Sequence, residues 1–458
     1  MTAAVVDPAA RPPQDAPLDP TNSPSAPGPA VVSRRTAKLL PAVVGLASLL
    51  VRLPRLSKPG AFVFDEIFYA PDANDLLRFG IEQGQVKHPP LGKWLIAGGI
   101  RIFGFTPLGW RIASVVAGAL AAAIIASAAL RLTKRWELGA LAGVLVSLDG
   151  IMFTTSRVAM LDIFVGLFLS ATAWFVVAAW EAQPDLARVR RYGIGALLCI
   201  GLSAGVKWSA AFTLPIVLGE MLVLERRLAA PGRLRLRGYG RALGLAMLLP
   251  AVVYVAAFVP TFVTRSDALP PSQFIKNQED ILGFHEGLKP RNPYAVPAYN
   301  WLLQTQPAAL YRQICQPAQG PSSPTCPTVD HPTEVRVLAV ANPVGWWAAV
   351  VAGVVLLGLV AWLARWRALL LLLLGLSQWV PWMLISRPPY SFYETGLIPL
   401  MALWVPAVLV ELPRRWAAAL AGVLGLAVVA MFAFLYPLFT AIPLSVSAAH
   451  GRMLRGWP

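Results

Sequence analysis

The sequence predicts an all-α polytopic membrane protein with about eleven transmembrane helices, and three observations support this prediction. Of the 458 residues, 57% are hydrophobic and only 14% are charged, with a mean hydropathy of +0.60, whereas soluble domains carry about 25% charged residues. Segments such as 241–262, 344–364 and 416–436 are nearly uncharged and long enough to cross a hydrocarbon core about 30 Å thick. Every second connection between such segments is basic.

This composition excludes a soluble enzyme and a disordered protein. The net charge of +16, from 39 Lys and Arg against 23 Asp and Glu, is a value also found in nucleic-acid-binding proteins. Here the basic residues fall between apolar segments, as they do at the cytoplasmic face of membrane proteins. We therefore predict membrane lipids, and no nucleic acid, among the partners.

The chain divides into a tail, a transmembrane domain and a second tail. Residues 1–35 are predicted to form a disordered cytoplasmic tail, because this Pro-, Ala-, Asp- and Ser-rich segment has no sustained apolar run. The transmembrane domain spans 36–436, and 437–458 form an external C-terminal tail. The predicted spans are 37–53, 107–130, 137–152, 161–180, 192–208, 209–225, 241–262, 344–364, 368–386, 393–411 and 416–436.

The distribution of Lys and Arg predicts the orientation in the cell membrane. With the N-terminus in the cytoplasm, the basic clusters all fall on the cytoplasmic side; they lie at 34–38, 131–135, 188–191, 226–241, 365–367 and 414–415. Two long segments, 54–106 and 263–343, then lie outside, as does the C-terminus.

Two of the three cysteines lie in the second external segment. Cys315 and Cys326 flank a Pro-, Gly- and Ser-rich stretch in ICQPAQGPSSPTCP. Because external thiols meet oxidising conditions, we predict a disulfide between them, with two free thiols as the alternative. Cys199 lies in an apolar span and is expected to pack there.

Charged residues concentrate at the predicted external ends of the spans. Asp65 and Glu66 follow an apolar run in AFVFDEIFYAPDA, and His88 and Lys93 lie in KHPPLGKW. Further members of this set are Arg52, Arg111, Arg157, Asp162 and Lys207. A charge in mid-bilayer costs about 2.5–3.5 kcal/mol, so each of them needs a partner or a function.

Two interpretations apply to these charges. They line a cavity in which carboxylates act as a base or bind metal and cations hold a phosphate, or they are interfacial side chains that reach water. The acidic pair favours the cavity, because its short side chains lie among aromatic neighbours. An arginine such as Arg52, taken alone, fits either interpretation.

At these residues the sequence resembles the protein O-mannosyltransferases, membrane glycosyltransferases that use lipid-phosphate-mannose. The resemblance covers about 36–436 and rests on VFDE at 63–66, HPPLGK at 88–93, GWR at 109–111, LDG to LD at 148–162 and VKW at 206–208. NPYAVPAYNWLL at 292–303 and VLAVANPVGWW at 337–347 resemble the actinobacterial branch, from which Asn292 and Gln306 depart.

The resemblance implies the fold and the reaction. We expect a lipid-phosphosugar glycosyltransferase of the GT-C type, which transfers mannose from polyprenyl-phosphate-mannose to Ser or Thr hydroxyls of secreted or membrane proteins with inversion. It implies that Asp65 is the base, that Glu66 positions Asp65 or a donor hydroxyl, and that Arg111 contacts the phosphate. Lys93, Arg157, Lys207 and His88 are further phosphate candidates, and Arg52 and Asp162 are supporting residues.

The sequence predicts no metal cofactor, because its four histidines lack ligand spacing, although an Asp–Glu pair could hold Mg²⁺ weakly. A related glycosyltransferase with another lipid-linked sugar, such as a pentose, or with a glycolipid acceptor, stays open. A transporter would need polar residues deep in several helices and usually internal repeats, whereas these charges gather on one face.

Overall fold

A computed structural model of the chain describes residues 33–84, 86–228, 236–263, 271–288, 295–316, 331–387, 389–454 and 457. The predicted N-terminal tail therefore lies outside the described residues, except for its last three positions. The same holds for Asn292 and Cys326. Arg34 and Arg35 already belong to the first helix, which Ser33 caps by accepting the Thr36 N–H at 3.0 Å.

The described chain is mainly helical. Its α-helices are α1 (Arg34–Arg52), α2 (Glu66–Phe79), α3 (Leu91–Phe103), α4 (Pro107–Thr133), α5 (Trp136–Ser147), α6 (Gly150–Thr155), α7 (Asp162–Glu181), α8 (Leu186–Ala204), α9 (Leu214–Leu228), α10 (Leu236–Ala256), α11 (Val259–Val263), α12 (Pro271–Gly287), α13 (Pro343–Leu363), α14 (Trp366–Ser377), α15 (Val380–Leu384), α16 (Ile398–Met401), α17 (Trp404–Leu409), α18 (Arg414–Phe439) and α19 (Val446–His450). Each predicted span overlaps at least one of them. Five described helical segments are long and apolar enough to cross a membrane, by length and composition alone. The helical membrane fold is confirmed, and the count of eleven spans stays a prediction.

Several predicted spans are interrupted near the ends predicted to be external. The predicted span 137–152 breaks after α5, where Asp149 caps α6 by accepting the Met152 N–H at 2.9 Å. The predicted span 393–411 is divided between a 3₁₀ turn, α16 and α17, with Pro399 and Pro406 inside it. Proline removes a backbone donor, which accounts for interruptions in the second segment. The first segment contains no proline and breaks at the capping residue Asp149.

The structure adds a small antiparallel sheet that the all-α prediction did not include. Strands β1 (Ala308–Cys315) and β2 (Thr333–Ala339) pair from Ala308 with Ala339 to Cys315 with Thr333, and β3 (Leu444–Ser445) pairs with β2. The TEVRVLA segment of β2 is rich in β-branched residues, which favour strands. The sheet joins the second external segment to the C-terminal tail.

The N-terminal half supplies the frame for the polar residues. Helix α4 packs against α1, α3, α5 and α7, and α7 packs against α8. Thr106 starts α4 by accepting the Gly109 N–H at 3.2 Å, with Pro107 in the first turn. Helix α4 thereby brings its first turns, including Arg111, beside the segment that precedes α2.

Candidate active site

A buried ion pair organises the chain around the two predicted catalytic carboxylates. Glu66 and Arg111 are both fully buried. The Arg111 Nε and Nη2 donate to the two carboxylate oxygens of Glu66 at 2.8 and 2.7 Å. The remaining N–H groups donate to the carbonyls of Leu56, Pro59 and Ala61 at 3.0, 2.9 and 3.1 Å. Every N–H of this guanidinium is therefore used inside the protein.

The oxygens of the Glu66 carboxylate are likewise engaged in hydrogen bonds inside the protein. They also accept the backbone N–H groups of Val63 and Ala159 at 2.9 and 2.8 Å. Ala159 lies shortly before Asp162 at the start of α7, so Glu66 joins the loop before α2 to the turn before α7. The arginine has no donor left for the phosphate contact expected of it, and the pair fixes the backbone beside the reactive groups.

Asp65 lies at the N-terminus of α2 with a carboxylate that does not cap the helix. Phe64 before it has a φ of +50°, a conformation that residues with a side chain rarely adopt. Asp65 makes no capping hydrogen bond, and its Oδ2 accepts the Tyr69 hydroxyl at 3.2 Å. This half-buried carboxylate is held by its neighbours and remains available to accept a proton.

A buried salt bridge lies close to Asp65, at the wall of a cavity. Lys207 Nζ and Asp162 Oδ2 are 2.7 Å apart, and both residues act electrostatically on Asp65. The cavity has a volume of about 340 Å³, within the range of small-ligand sites. Its lining combines polar and aromatic side chains with apolar ones, among them His88, His285, Arg387, Tyr393, Trp382 and Ile385.

A close helix contact explains why HPPLGK and VKW meet at this cavity. A Cβ on Gly92 would lie 2.7 Å from a Leu161 methyl and 3.0 Å from a Val206 methyl. Only glycine therefore lets α3 approach the start of α7 and the turn after α8 so closely. This approach brings His88 and Lys207 to the same cavity.

Burial sets the protonation states around the cavity. It raises the pKa of Asp65 above its usual range, with the charge of Lys207 opposing the rise. Burial lowers the pKa of His88 well below its usual value and lowers the pKa of His285 to about 3, and nearby cations add to both shifts. Both imidazoles are therefore neutral at physiological pH. Among the described lining residues, Lys207 and Arg387 carry the positive charge.

The other predicted phosphate-binding cations are engaged away from the cavity. Lys93 is fully buried, forms an ion pair with Glu82 and lies 3.8 Å from an Asp72 oxygen. Arg157 donates to the backbone carbonyl of Arg52. These contacts join α2 to α3 and hold the turn before α7.

Arg52, expected to be a supporting residue, makes its described hydrogen bonds outside the acidic pair. Its fully buried guanidinium donates to Ser156 Oγ at 2.7 Å and to the Ser48 carbonyl at 3.0 Å. It also lies over the ring of Phe153, 5.3 Å from the centroid. Arg52 therefore joins α1 to α6.

Arg387 and Tyr393 are among the cavity residues that were not predicted from the sequence. Arg387 Nη2 donates to the Tyr393 hydroxyl at 2.6 Å, and both side chains line the cavity. One signal was present: Arg387 is an isolated cation in a short connection predicted to be external, where basic residues are depleted. Tyr393 offered no signal, because aromatic residues are common at membrane interfaces.

Cys315 is disulfide-bonded, in agreement with the predicted oxidation. Its predicted partner, Cys326, lies outside the described residues, so the pairing itself stays a prediction. Cys199 is a free, buried thiol, as expected for a packing residue.

Comparison of the sequence with known proteins finds related mannosyltransferases. A sequence model of the family described as dolichyl-phosphate-mannose-protein mannosyltransferase matches residues 87–254. The polyprenol-phosphate-mannose–protein mannosyltransferase of Mycobacterium tuberculosis is 28% identical, over 88% of this chain and 89% of the relative. The protein of the same name from Corynebacterium glutamicum is 27% identical, over 78% of this chain and 79% of the relative.

Comparison with solved structures identifies the fold. The Saccharomyces cerevisiae protein O-mannosyltransferase Pmt1–Pmt2 complex bound to the sugar donor aligns with a TM-score of 0.75 at 13% identity, covering 93% of both chains. ArnT from Cupriavidus metallidurans in the apo state aligns with a TM-score of 0.56 at 18% identity, covering 84% of this chain and 62% of ArnT. The chain therefore has the GT-C fold expected from the sequence.

Proposed function

We propose, because the chain belongs to the protein O-mannosyltransferase family, that it transfers mannose from polyprenyl-phosphate-mannose to Ser or Thr hydroxyls of proteins. The names of the mycobacterial and corynebacterial relatives state this donor and a protein acceptor. The similarity extends over most of each chain. The protein is thus a multi-pass membrane glycosyltransferase.

The observation that carries the reaction is the position of Asp65 beside a cation-lined cavity. Its carboxylate accepts only the Tyr69 hydroxyl among the described residues, whereas the Glu66 carboxylate next to it accepts four N–H donors. Of this acidic pair, Asp65 is therefore the residue placed to accept a proton.

One displacement accounts for the transfer. The Ser or Thr oxygen attacks C1 of mannose while the hydroxyl proton passes to the Asp65 carboxylate. The bond between C1 and the phosphate oxygen breaks, and its electron pair stays on the departing polyprenyl phosphate. Attack opposite the leaving group inverts the configuration at C1.

The environment of the cavity favours both ends of this step. A raised pKa makes Asp65 a stronger base than an exposed carboxylate. Cations held in a partly dry site stabilise the negative charge that develops on the leaving phosphate. The proposed step needs no metal, because these protein cations stabilise the charge on the phosphate.

We assign positioning roles to the residues that lie beneath the site. Glu66 and Arg111 hold the loop before α2 and the turn before α7, so they keep Asp65 and Asp162 in register. Lys93 holds α2 against α3 through its two carboxylate partners.

We place the site on the external side of the cell membrane, with the N-terminus in the cytoplasm and acceptors that are secreted or membrane-bound. The contacts support the predicted assignment of the span ends to two opposite sides of the membrane. Residues predicted to be cytoplasmic contact one another, as in the ion pair of Arg414 with Glu137 at 3.1 Å. Residues predicted to be external likewise pair among themselves, as Lys207 does with Asp162.

A reconstituted assay tests the function and its nearest alternative. The full chain in liposomes is given one of two radiolabelled donors: polyprenyl-phosphate-mannose or the same lipid phosphate carrying a pentose. Each donor is offered a Ser/Thr-rich peptide and, separately, a matched peptide in which Ala replaces Ser and Thr. We expect label from the mannose donor on the Ser/Thr peptide alone. Transfer from the pentose donor only, or to glycolipid and not to peptide, would contradict the proposal.

A further inference from the structure

We propose that Arg387, Lys207 and Tyr393 form a phosphate clamp, which binds the phosphate of the lipid donor and of the departing lipid. This inference rests on the proposed function and names residues for its phosphate site. It assigns the contact to Arg387, a residue outside the sequence motifs, in place of Arg111.

The three side chains of the phosphate clamp are held together around one aromatic ring. Arg387 lies 5.4 Å and Lys207 Nζ 5.3 Å from the ring centroid of Tyr393. Arg387 Nη2 also donates to the Tyr393 hydroxyl at 2.6 Å. Because that bond uses an oxygen lone pair, the phenolic proton remains available to donate to a phosphate oxygen.

The charge balance favours Arg387 as the group that binds an anion. Lys207 is neutralised by Asp162 at 2.7 Å, whereas no described carboxylate lies within 4.0 Å of Arg387. The buried Arg387 Nε–H has no acceptor among the described residues. Glu286 also lines the cavity, but it is exposed, so solvent screens its charge.

Arg111, Lys93 and Arg157, three of the cations predicted to bind the phosphate, do not line this cavity. Arg111 uses every N–H on Glu66 and on backbone carbonyls. Lys93 lies between two carboxylates, and Arg157 donates to the backbone of α1. Arg387 is therefore the cavity cation whose donors are not already satisfied by a carboxylate.

The apolar part of the cavity indicates a lipid phosphate. Ile385 lines the cavity together with Phe212 and Trp382. Leu384 beside it is 83% exposed, as suits a side chain that faces lipid at the end of a predicted span. A phosphate in the clamp would thus have its prenyl chain beside an apolar wall that continues to the membrane.

The phosphate clamp also has a part in the transfer step. The donor is a phosphodiester with one negative charge, and breaking the C1–O bond leaves a monoester that carries more. Arg387 and the Tyr393 hydroxyl can donate to the oxygen on which this charge appears. They should therefore support donor binding and leaving-group departure together.

Binding of the lipid phosphate alone tests the clamp without requiring any sugar transfer. Full-length protein in nanodiscs is titrated with radiolabelled undecaprenyl phosphate and, separately, with the uncharged alcohol undecaprenol. Arg387→Ala should raise the Kd for the phosphate roughly 10- to 100-fold, the loss of a charged hydrogen bond, and leave the Kd for the alcohol unchanged. Arg387→Lys should recover part of the loss.

Two further variants complete the test. Arg101→Ala removes an exposed arginine from the same predicted side and should bind both lipids as the wild type does. Tyr393→Phe removes the hydroxyl that holds Arg387 and should weaken phosphate binding less than Arg387→Ala; it serves as the test if Arg387→Ala does not fold.

The outcomes separate this inference from the function on which it rests. Unchanged phosphate affinity in Arg387→Ala, or in Tyr393→Phe where it stands in, would overturn the clamp. Equal losses for phosphate and alcohol would also overturn it, because they would indicate apolar packing. Phosphate-selective loss supports the clamp even if the wild-type protein transfers no mannose, in which case the proposed function fails and the phosphate site stands.

Discussion

Replacing Glu66 by Gln removes one half of a fully buried ion pair and should destabilise the protein. Each carboxylate oxygen accepts one Arg111 N–H and one backbone N–H, from Ala159 at one oxygen and from Val63 at the other. Whichever way the Gln amide turns, its NH₂ group faces two donors, so two hydrogen bonds are lost. The Arg111 charge also loses its counterion.

The expected cost follows from these contacts. Removing one partner of a buried ion pair costs about 3–5 kcal/mol, and the two lost hydrogen bonds, both to a carboxylate, are of similar total size. Glu411→Gln is the matched control, because it makes the same change in an exposed ion pair with Arg365 at 3.4 Å. An exposed pair contributes about 0–1 kcal/mol, so the control should barely shift Tm.

The assay combines thermal unfolding of the detergent-solubilised protein with binding of undecaprenyl phosphate. Glu66→Gln and Arg111→Met should each lower Tm clearly, and the double variant should lose less than the sum of the two, because the charges are removed together. Where the variants remain folded, they should still bind the lipid phosphate. Wild-type Tm in Arg111→Met with phosphate binding abolished would refute this reasoning and restore Arg111 as the phosphate ligand.

Three further predictions address the cavity and the second external segment. Lys207→Met should lower kcat/KM roughly 10- to 1,000-fold, because it removes a cation near the leaving group; steady-state transfer to peptide measures this, and an unchanged value would place the phosphate elsewhere. Asp65 must be ionised to act as the base, and burial raises its pKa. We therefore expect kcat/KM to rise with pH through a pKa above about 4, the ordinary value, with no step between pH 5 and 8 from the two neutral imidazoles. A profile that falls as Asp65 ionises would contradict its role. Mass mapping of unreduced protein should find Cys315 linked to Cys326, and two free thiols would contradict that pairing.

The sequence predicted the fold and the neighbourhood of the site because those depend on local patterns. Apolar runs predict membrane helices wherever they occur, and the charges left near span ends marked Asp65, His88, Asp162 and Lys207, which the structure brings together. The structure gives a physical reason for the glycine of HPPLGK, Gly92. A side chain at this position would collide with the start of α7 and with the turn after α8.

The partners of the charges could not be predicted, because they depend on contacts between distant helices. Nothing local shows that Arg111 meets Glu66 or that Lys93 lies beside Glu82. In the sequence, Arg387 resembles an ordinary interfacial cation. In the structure, it lies at the cavity, between α15 and the 3₁₀ turn that follows. The sheet was missed for a related reason, since β3 pairs with a strand that lies far earlier in the chain.

The most direct measurement of the central claim is mannosyl transfer by Asp65→Asn, made on the same preparation as donor binding. Asn keeps the size of the side chain but cannot take the hydroxyl proton, so turnover should fall by ~10²–10⁴-fold. Binding of undecaprenyl phosphate and Tm should stay at their wild-type values, because the phosphate clamp and the Glu66–Arg111 pair are untouched. Near-normal turnover by this variant would contradict the account, because the other carboxylate of the pair, Glu66, is bound by four N–H donors and is not free to act as the base.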